Sequence, residues 1–341
     1  MEPSALRSTI LALCLSLGIP AAHTIYLHKA TLTWFKDLDI PEQFGFAHHQ
    51  VTPFYIHTAD GERLHAWHVL PIGAYVDNQD ALLAQGPEGG GVDRFQETLK
   101  FRLLKGNPEA KLSSGHPSEP GLIDNALAIV DWAINTAGVP PERIVIYGQS
   151  LGSAVAIAVV HELARREWDR KVEFAGLVVT ATFSNVAQLT ATYRIGGFIP
   201  VLSPLFDFFT SRLRSTWDNE RRLSEFVQMA ARYDITLIHA EDDSDIPMAH
   251  SIRLFRAAVL SAEAASKDSS GEIDESILLK KIDERKVSHG EGGSLTVWST
   301  GKGDIRLEIP RYGVHDKVMS YPITGLAISR AFNSTRYGGS V

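Results

Sequence analysis

A five-residue turn between an apolar run and a helix of small residues constrains the fold of this chain more than any other feature. Ile144 to Tyr147 is an apolar run of β type, Gly148-Gln149-Ser150-Leu151-Gly152 follows it, and Ser153 to Arg166 is rich in Ala and Val. A serine on such a sharp strand-to-helix turn has a strained backbone, and we expect the flanking glycines to remove side chains that would clash there. The sequence therefore predicts that the serine hydroxyl is lifted above the end of a buried strand.

Strand-like and helical segments alternate along the rest of the chain. This alternation predicts an α/β fold, in which a mostly parallel central sheet is covered by helices on both faces. An earlier segment, Val51 to Pro71, holds two strand-like runs around Asp60-Gly61, a dipeptide typical of tight hairpin turns. The predicted strands are Phe174 to Thr182, Ile235 to His239 and Ile305 to Ile309, and the predicted helices are Phe95 to Leu104, Gly121 to Ala137 and Tyr321 to Phe332.

Composition excludes several classes of function. Hydrophobic residues make up 44% and charged residues 21%, which is typical of a globular protein. The net charge of -7 argues against nucleic-acid binding, because phosphate neutralisation needs an excess of Lys and Arg. Cys14 is the single cysteine, so a disulfide framework and a cysteine-based zinc site are excluded. His65 and His68 lie three apart on a predicted strand and face opposite sides, so we expect no metal site and no cofactor.

The N-terminal segment, residues 1–43, is a candidate membrane anchor followed by a linker. No Lys, Arg, Asp or Glu lies between Arg7 and Lys29, and the core of this stretch is Thr9 to Ile19. A membrane span needs about 20 apolar residues, so the length is marginal. Three interpretations stay open: a single span that makes the protein membrane-associated, a cleaved secretory signal, and a helix of a soluble intracellular protein.

The remaining residues, 44–341, are expected to form one domain with two additions. Tyr193 to Trp217 is rich in aromatic residues and has no clear period, so we expect a lid over the sheet edge within residues 186–217. Ser261 to Gly293 is polar and charged, which predicts a surface insertion over residues 261–293.

A serine at such a turn can act as a nucleophile if a base and an orienting acid lie nearby. The helix that follows the turn would aim its N-terminus at a developing oxyanion, with the amide of Leu151 as one donor. His315, in a loop before the last helix, is the candidate base, with His250, His289 and His161 as rivals. The candidate acids share one loop after a buried strand: Glu241, Asp242, Asp243 and Asp245.

These segments resemble the α/β-hydrolase superfamily, and most closely its lysophosphatidylserine and monoacylglycerol lipase branch (the α/β-hydrolase-domain-12 type) with its filamentous-fungal relatives. The likeness extends from about Phe44 to Phe332. It implies a Ser150–Asp243–His315 triad and an ester or thioester substrate that carries an acyl chain. The matching segments include FGFAHHQVTPFYIHTADGERLHAWHVLP, SSGHPSEPGLIDNALAIVDWA, IVIYGQSLGSAVA, TYRIGGFIPVLSPL, ITLIHAEDDSDIP and RYGVHDKVMSYP.

One departure from the family pattern lies just before the turn. The family has a strand that ends in a His-Gly loop, which donates the second oxyanion amide, and then a helix and another strand. Here Glu109 to Leu112 runs directly into Ser113 to Glu119, and between Pro71 and Ile144 two segments read as helices but no run of four apolar residues reads as a buried strand. The sequence predicts an α/β-hydrolase fold that lacks this strand–helix–strand unit, of at least roughly 30 residues.

The missing unit leaves three interpretations. The coding sequence omits a segment of the natural protein, the chain is a relative that has lost its activity, or another segment replaces the missing strands. The intact catalytic segments favour the first.

The predicted function is cleavage of a carboxylic ester or thioester by a serine hydrolase. The substrate would be a small-molecule or lipid ester, and association with a membrane would depend on the N-terminal segment. The alternatives are a catalytically impaired relative with a binding or scaffold role, and an acyl-processing enzyme of a biosynthetic pathway.

Overall fold

The computed structural model describes residues 38–58, 61, 63–70, 72–84, 108–113, 118–166, 172–192, 194–195, 199–200, 215–266 and 274–337. The chain divides into two compact units, residues 1–115 and 116–341, where the sequence suggested one domain over 44–341. The apolar stretch 9–19, the helix expected over 95–104 and much of the lid expected over 186–217 lie outside the described residues.

The first unit contains a three-stranded antiparallel sheet in the order β1-β2-β3. The hairpin predicted around Asp60-Gly61 is confirmed, since Val51 pairs with Val69 and His57 pairs with Arg63. Trp67 is buried here, with the rings of Phe44 and Phe46 edge-on to it. The elements are β1 (Val51–His57), β2 (Arg63–Val69), α1 (Ile72–Asp77), α2 (Gln79–Leu83) and β3 (Pro108–Ser113).

Strand β3 corrects the expectation that no strand lies between Pro71 and Ile144. It pairs with β2 through Ala66 and Ala110 and through Trp67 and Glu109. Its sequence, PEAKLS, has only two apolar residues, so backbone pairing with a hairpin edge forms this strand without an apolar run. One strand therefore directly precedes the His116-Pro117-Ser118-Glu119 segment, where the family pattern has two.

The second unit is built on a six-stranded sheet in the order β4-β5-β8-β11-β10-β9. The neighbours β4, β5, β8 and β11 run parallel, and β10 and β9 continue the sheet antiparallel. The elements are α3 (Glu119–Asp131), β4 (Val145–Gln149), α4 (Leu151–Arg165), β5 (Gly176–Thr180), α5 (Val186–Thr192), β6 (Arg194–Ile195), β7 (Ile199–Pro200), α6 (Asn219–Met229), β8 (Tyr233–Ile238), α7 (Ala249–Ser266), α8 (Glu275–Glu284), β9 (Val287–Ser288), β10 (Ser294–Thr300), β11 (Gly303–Ile309), α9 (Val314–Lys317) and α10 (Pro322–Tyr337).

This arrangement confirms the predicted α/β-hydrolase fold, a mostly parallel sheet flanked by helices with the serine turn between β4 and α4. The main core packs α4, α6 and α7 against β5, β8 and β11, with Ile157, Leu237 and Phe255 almost fully buried. Burial of each such side chain stabilises the fold by about 1.5–3 kcal/mol.

The segment expected as a polar insertion, residues 261–293, contains the end of one helix and the whole of another. Helix α7 continues to Ser266, and α8 places Leu278 and Ile282 in the main core. These two residues lie four apart, so they share one face of α8, and its polar residues occupy the other. The composition of the segment is polar because one face is solvated, although the other face packs.

Strand β4 is the edge of the six-stranded sheet and pairs with β5. Its Val145, Ile146 and Tyr147 are only half-buried, whereas every residue of β5 and β8 is buried. Among the described residues no strand pairs with the other side of β4.

Candidate active site

Ser150 lies on a strained turn between β4 and α4. Its φ of 52° and ψ of -122° belong to a region that non-glycine residues rarely adopt, and its backbone N–H donates to the carbonyl of Thr180 at 3.0 Å. A Cβ on Gly148 would overlap the backbone of Gly152, so position 148 requires glycine. A Cβ on Gly152 would meet no atom within 4 Å, so the expected clash is absent there.

The structure brings Ser150, His315 and Asp243 together at the ends of β4, β8 and β11. The Oγ of Ser150 lies 3.1 Å from Nε2 of His315, and Nδ1 of His315 lies 2.9 Å from Oδ2 of Asp243. A carboxylate only accepts hydrogen bonds, so Nδ1 of His315 donates and Nε2 is left to accept the serine proton. This arrangement can activate a hydroxyl as a nucleophile.

The pKa values of the acid and the base move in opposite directions. Burial pushes the pKa of the Asp243 carboxyl up, but hydrogen bonds from His239 and His315 outweigh burial and hold that pKa well below its usual range. The hydrogen bond to Asp243 raises the pKa of His315 above its ordinary value against the opposing effect of burial, and the charges of Asp245 and Asp316 add to the rise. Asp243 is therefore ionised when His315 takes up a proton.

A second histidine lies behind the acid. Nε2 of His239 is 2.7 Å from the carbonyl of Ile246 and 3.3 Å from Oδ2 of Asp243, and its Nδ1 is 2.7 Å from the hydroxyl of Ser251. The carbonyl of Ile246 can only accept, so Nε2 carries the proton and also faces Asp243. The backbone amides of Asp245 and Ile246 donate to Oδ1 of Asp243, each at 2.9 Å. Both carboxylate oxygens thus have fixed partners.

The loop that carries His315 is held at its backbone by two polar side chains. Nε2 of Gln149 donates to the carbonyl of His315 at 2.8 Å, and Oδ1 of Asp242 accepts from the amide of Val314 at 2.7 Å. Sequence reasoning missed both roles, although Gln149 directly precedes Ser150 and Asp242 directly precedes Asp243.

The rival histidines have other partners or positions. Nδ1 of His250 lies 2.9 Å from the hydroxyl of Ser184, and its Nε2 lies 2.9 Å from the hydroxyl of Thr192. His161 is buried on α4 and bonds Glu225 at 2.6 Å, and His289 is exposed. Of the rival acids, Glu241 and Asp242 are exposed, whereas Asp243 is buried.

The amide of Leu151 is the candidate oxyanion donor, since Leu151 is the first residue of α4. The first amides of a helix have no partner within the helix and face an anion placed at its N-terminus. Within the part of the chain that the structure describes, no group of three or more His, Cys, Asp or Glu side chains could hold a metal ion.

Comparison with known proteins finds relatives that include lysophosphatidylserine lipases, although no family model matches the chain. It is 26% identical over 264 residues to a lysophosphatidylserine lipase, ABHD12, of Danio rerio, a match over 70% of this chain and 66% of that protein. It is 25% identical over 211 residues to the uncharacterised protein YfhR of Escherichia coli O157:H7, over 58% of this chain and 65% of YfhR. The chain thus spans slightly less than two thirds of these relatives.

A solved structure, the Pyrococcus furiosus esterase Pf2001, aligns with 86% of this chain and 93% of its own length, at a TM-score of 0.44 and 14% identity. The sequence likeness agrees with the resemblance to the lysophosphatidylserine lipase branch. No helix among the described residues has the length and hydrophobicity of a membrane span, and residues 1–37 lie outside that search.

Proposed function

We propose that this chain is a serine hydrolase that cleaves a carboxylic ester or thioester through Ser150, His315 and Asp243. The observation that carries the proposal is the continuous hydrogen-bond path from Ser150 Oγ through both nitrogens of His315 to Asp243. The strained φ of Ser150 supports it, because strained backbone of this kind clusters at functional sites.

In the acylation step, Ser150 Oγ attacks the carbonyl carbon of the ester while its proton passes to Nε2 of His315. Asp243 keeps the imidazole in the tautomer that accepts this proton and stabilises the imidazolium. His315 then gives the proton to the leaving alcohol or thiol, and the acyl group remains on Ser150. The amide of Leu151 stabilises the negative charge that develops on the carbonyl oxygen.

Deacylation repeats the same steps with water as the nucleophile. Water loses a proton to His315 and attacks the acyl-enzyme, and Ser150 leaves with the proton returned by His315. The products are a carboxylic acid and the regenerated serine. No cofactor or metal enters either step as proposed.

The name of the relatives suggests the first substrates to assay. Lysophosphatidylserine is a single-chain acyl ester, and its cleavage needs only the chemistry proposed above. We propose a lipid-like acyl ester as the substrate class, to be assayed beside a short-chain p-nitrophenyl ester.

The proposal is tested by labelling the purified full chain with a fluorophosphonate probe, which reacts with an activated serine. We expect labelling of the wild type at Ser150, located by mass spectrometry. Ser150→Ala should abolish labelling, and His315→Gln should slow it by at least ~10³-fold, because the base is lost.

The control for this test is Ser184→Ala, which removes a second serine that is hydrogen-bonded to a histidine. Its label should remain on Ser150. A folded wild-type chain that reacts with neither the probe nor the esters would contradict the proposal.

A catalytically impaired relative with a binding role is the second candidate, and the edge position of β4 favours it. In the family, the loop after the missing strand donates the second oxyanion amide, and loss of one such donor costs ~10²–10³ in rate. The genomic DNA around the Leu112 and Ser113 codons separates the candidates. An in-frame segment that encodes a His-Gly loop there favours the enzyme, and contiguous codons favour the impaired relative.

We also propose that the N-terminal apolar segment, centred on Thr9 to Ile19, anchors the protein to a membrane. Expression of the full chain and of a chain that starts at residue 38, followed by separation of membrane and soluble fractions, tests this. Only the full chain should resist alkaline carbonate extraction from the membrane fraction.

A further inference from the structure

The base of the proposed triad is carried by a segment with few apolar anchors. Helix α9 has four residues, which is too short to be stable by itself. Val314 and Asp316 on either side of the base are exposed, and the buried anchors are Gly313 before them and Val318 after them.

The segment is also strained directly before the base. Val314 has a φ of 43°, in the left-handed region that a β-branched side chain strongly disfavours. A backbone of this kind costs about 1–3 kcal/mol and persists only where the surroundings hold it. The peptide next to His315 therefore needs contacts that fix it.

Two side chains supply such contacts from two different strand ends. Gln149 ends β4, and its amide donates to the carbonyl of His315; Asp242 follows β8, and its carboxylate accepts from the amide of Val314. One bond fixes the carbonyl of His315 and the other fixes the amide of Val314, so the backbone is held on both sides of the His315 Cα. Gln149 directly precedes Ser150, and Asp242 directly precedes Asp243. Movement of His315 away from either triad member would therefore break one of these two hydrogen bonds.

We propose that Gln149 and Asp242 are positioning residues that hold His315 within hydrogen-bonding distance of Ser150 and Asp243 at the same time. The inference rests on the proposed function of the triad and adds to it the two side chains that set its geometry. A displacement of about 1 Å at a catalytic group can cost ~10²-fold in rate, so a small shift of α9 would be measurable.

The test compares ester hydrolysis and fluorophosphonate labelling across pH for the full-length wild type, Gln149→Met and Asp242→Ala. Methionine keeps the length of glutamine but cannot donate to the carbonyl, so we expect kcat to fall ~10–100-fold with little change in KM. Asp242→Ala should lower kcat ~5-fold, because its hydrogen bond is exposed to water.

The pH profile supplies a readout that a merely structural role would not change. The pKa of His315 is raised by its hydrogen bond to Asp243 and by the charges of Asp245 and Asp316. If His315 moves away from Asp243, its pKa loses much of this increase. In both variants we therefore expect the rising limb of kcat against pH to move toward the ordinary imidazole value of about 6.5.

Two matched controls separate position from charge. Asp242→Asn keeps an acceptor oxygen but loses the charge, so it should restore most of the activity lost in Asp242→Ala. Glu241→Gln removes the same charge from the neighbouring exposed position and should leave kcat and the pH midpoint unchanged.

The outcomes distinguish this inference from the function on which it rests. A folded wild type that does not react overturns the proposed function and the inference with it. A reactive wild type whose Gln149→Met and Asp242→Ala variants keep the wild-type kcat and pH midpoint overturns the inference alone. If circular dichroism shows Gln149→Met unfolded, Asp242→Ala decides by the same criterion.

Discussion

His250 lies at the start of α7, where it joins two polar side chains of the segment after β5. The backbone amide of Ser184 donates to its Nδ1 at 3.3 Å, so Nδ1 is unprotonated and Nε2 donates to Thr192. Burial, with the nearby charges of His239 and Arg253, lowers the pKa of His250 to about 4. The folded protein therefore holds this imidazole neutral, and a proton on Nδ1 would break its bond to the backbone amide of Ser184.

This neutral histidine predicts a loss of stability in mild acid. The unfolded chain binds a proton at His250 below about pH 6.5, whereas the folded chain does so only near pH 4. The contribution of neutral His250 to the free energy of unfolding is fully present above pH 6.5 and falls by about 3 kcal/mol toward pH 4. Urea unfolding from pH 7 to pH 4 should show a smaller decline in His250→Gln than in the wild type.

The control for this measurement is His289→Gln, at an exposed position. It should keep the decline of the wild type. Equal declines in wild type and His250→Gln would contradict the neutral, buried state of His250.

Some residues of the site could be predicted from the sequence, and others could not. Ser150, Asp243 and His315 were predicted, and the structure brings them within hydrogen-bonding distance. Gln149 was not recognised, because its partner lies 166 residues away in the sequence and no local pattern encodes that contact. His239 did carry a signal, as the last polar residue of a buried strand before the acid loop.

At the scale of elements, the turn between β4 and α4 requires glycine at position 148 but has room for a side chain at position 152. A Cβ on Gly148 would meet backbone atoms of Gly152 and Ser153, and backbone cannot move aside as a flexible side chain can. A Cβ on Gly152 would point into open space, on a residue in the first turn of α4.

The paired substitutions Gly148→Ala and Gly152→Ala test this asymmetry. We expect Gly148→Ala to lower the free energy of unfolding by about 3 kcal/mol or more, because the overlap forces β4 and α4 apart. Gly152→Ala should change it by less than about 1 kcal/mol, since alanine favours helix over glycine. Chemical denaturation of the two variants and the wild type measures both values, and similar losses in both variants would contradict the asymmetry.

Two elements of the fold could not be predicted from local composition. Strand β3 has two apolar residues and forms through pairing with β2, so a search for apolar runs could not find it. Helix α8 lies in a polar segment, yet Leu278 and Ile282 reach the main core. In both cases tertiary contacts decide the structure, and local composition does not report them.

At the scale of the whole molecule, the sheets are divided at the place where the sequence departs from the family pattern. A three-stranded sheet lies in residues 1–115 and a six-stranded sheet in residues 116–341, and the strand that carries the serine turn forms the edge of the larger sheet. An edge strand has unpaired backbone groups on one side and is a template for further pairing. Among the described residues, the strand that positions Ser150 pairs with another strand on one side only.

Hydrogen exchange of the full chain tests whether β4 is an edge strand in solution. In a parallel pair the hydrogen bonds to one neighbour involve alternate residues, so β5 alone pairs with about half of the amides in Val145–Gln149. We expect the mean amide exchange rate of Val145–Gln149 to exceed the rates of Gly176–Thr180 and Tyr233–Ile238, because each of those strands pairs with a strand on both sides.

The same experiment separates the interpretations of the missing unit. Alternating protection along β4 means that no segment of this chain replaces the family strand, which leaves an omitted segment or lost activity. Uniform protection, equal to that of β5, means that another segment pairs with β4 in solution, and the edge assignment is then wrong. The turn between β4 and α4 is stable only if β4 stays paired with β5. Fluorophosphonate reactivity measured on the same sample therefore shows whether Ser150 is active when β4 is an edge strand.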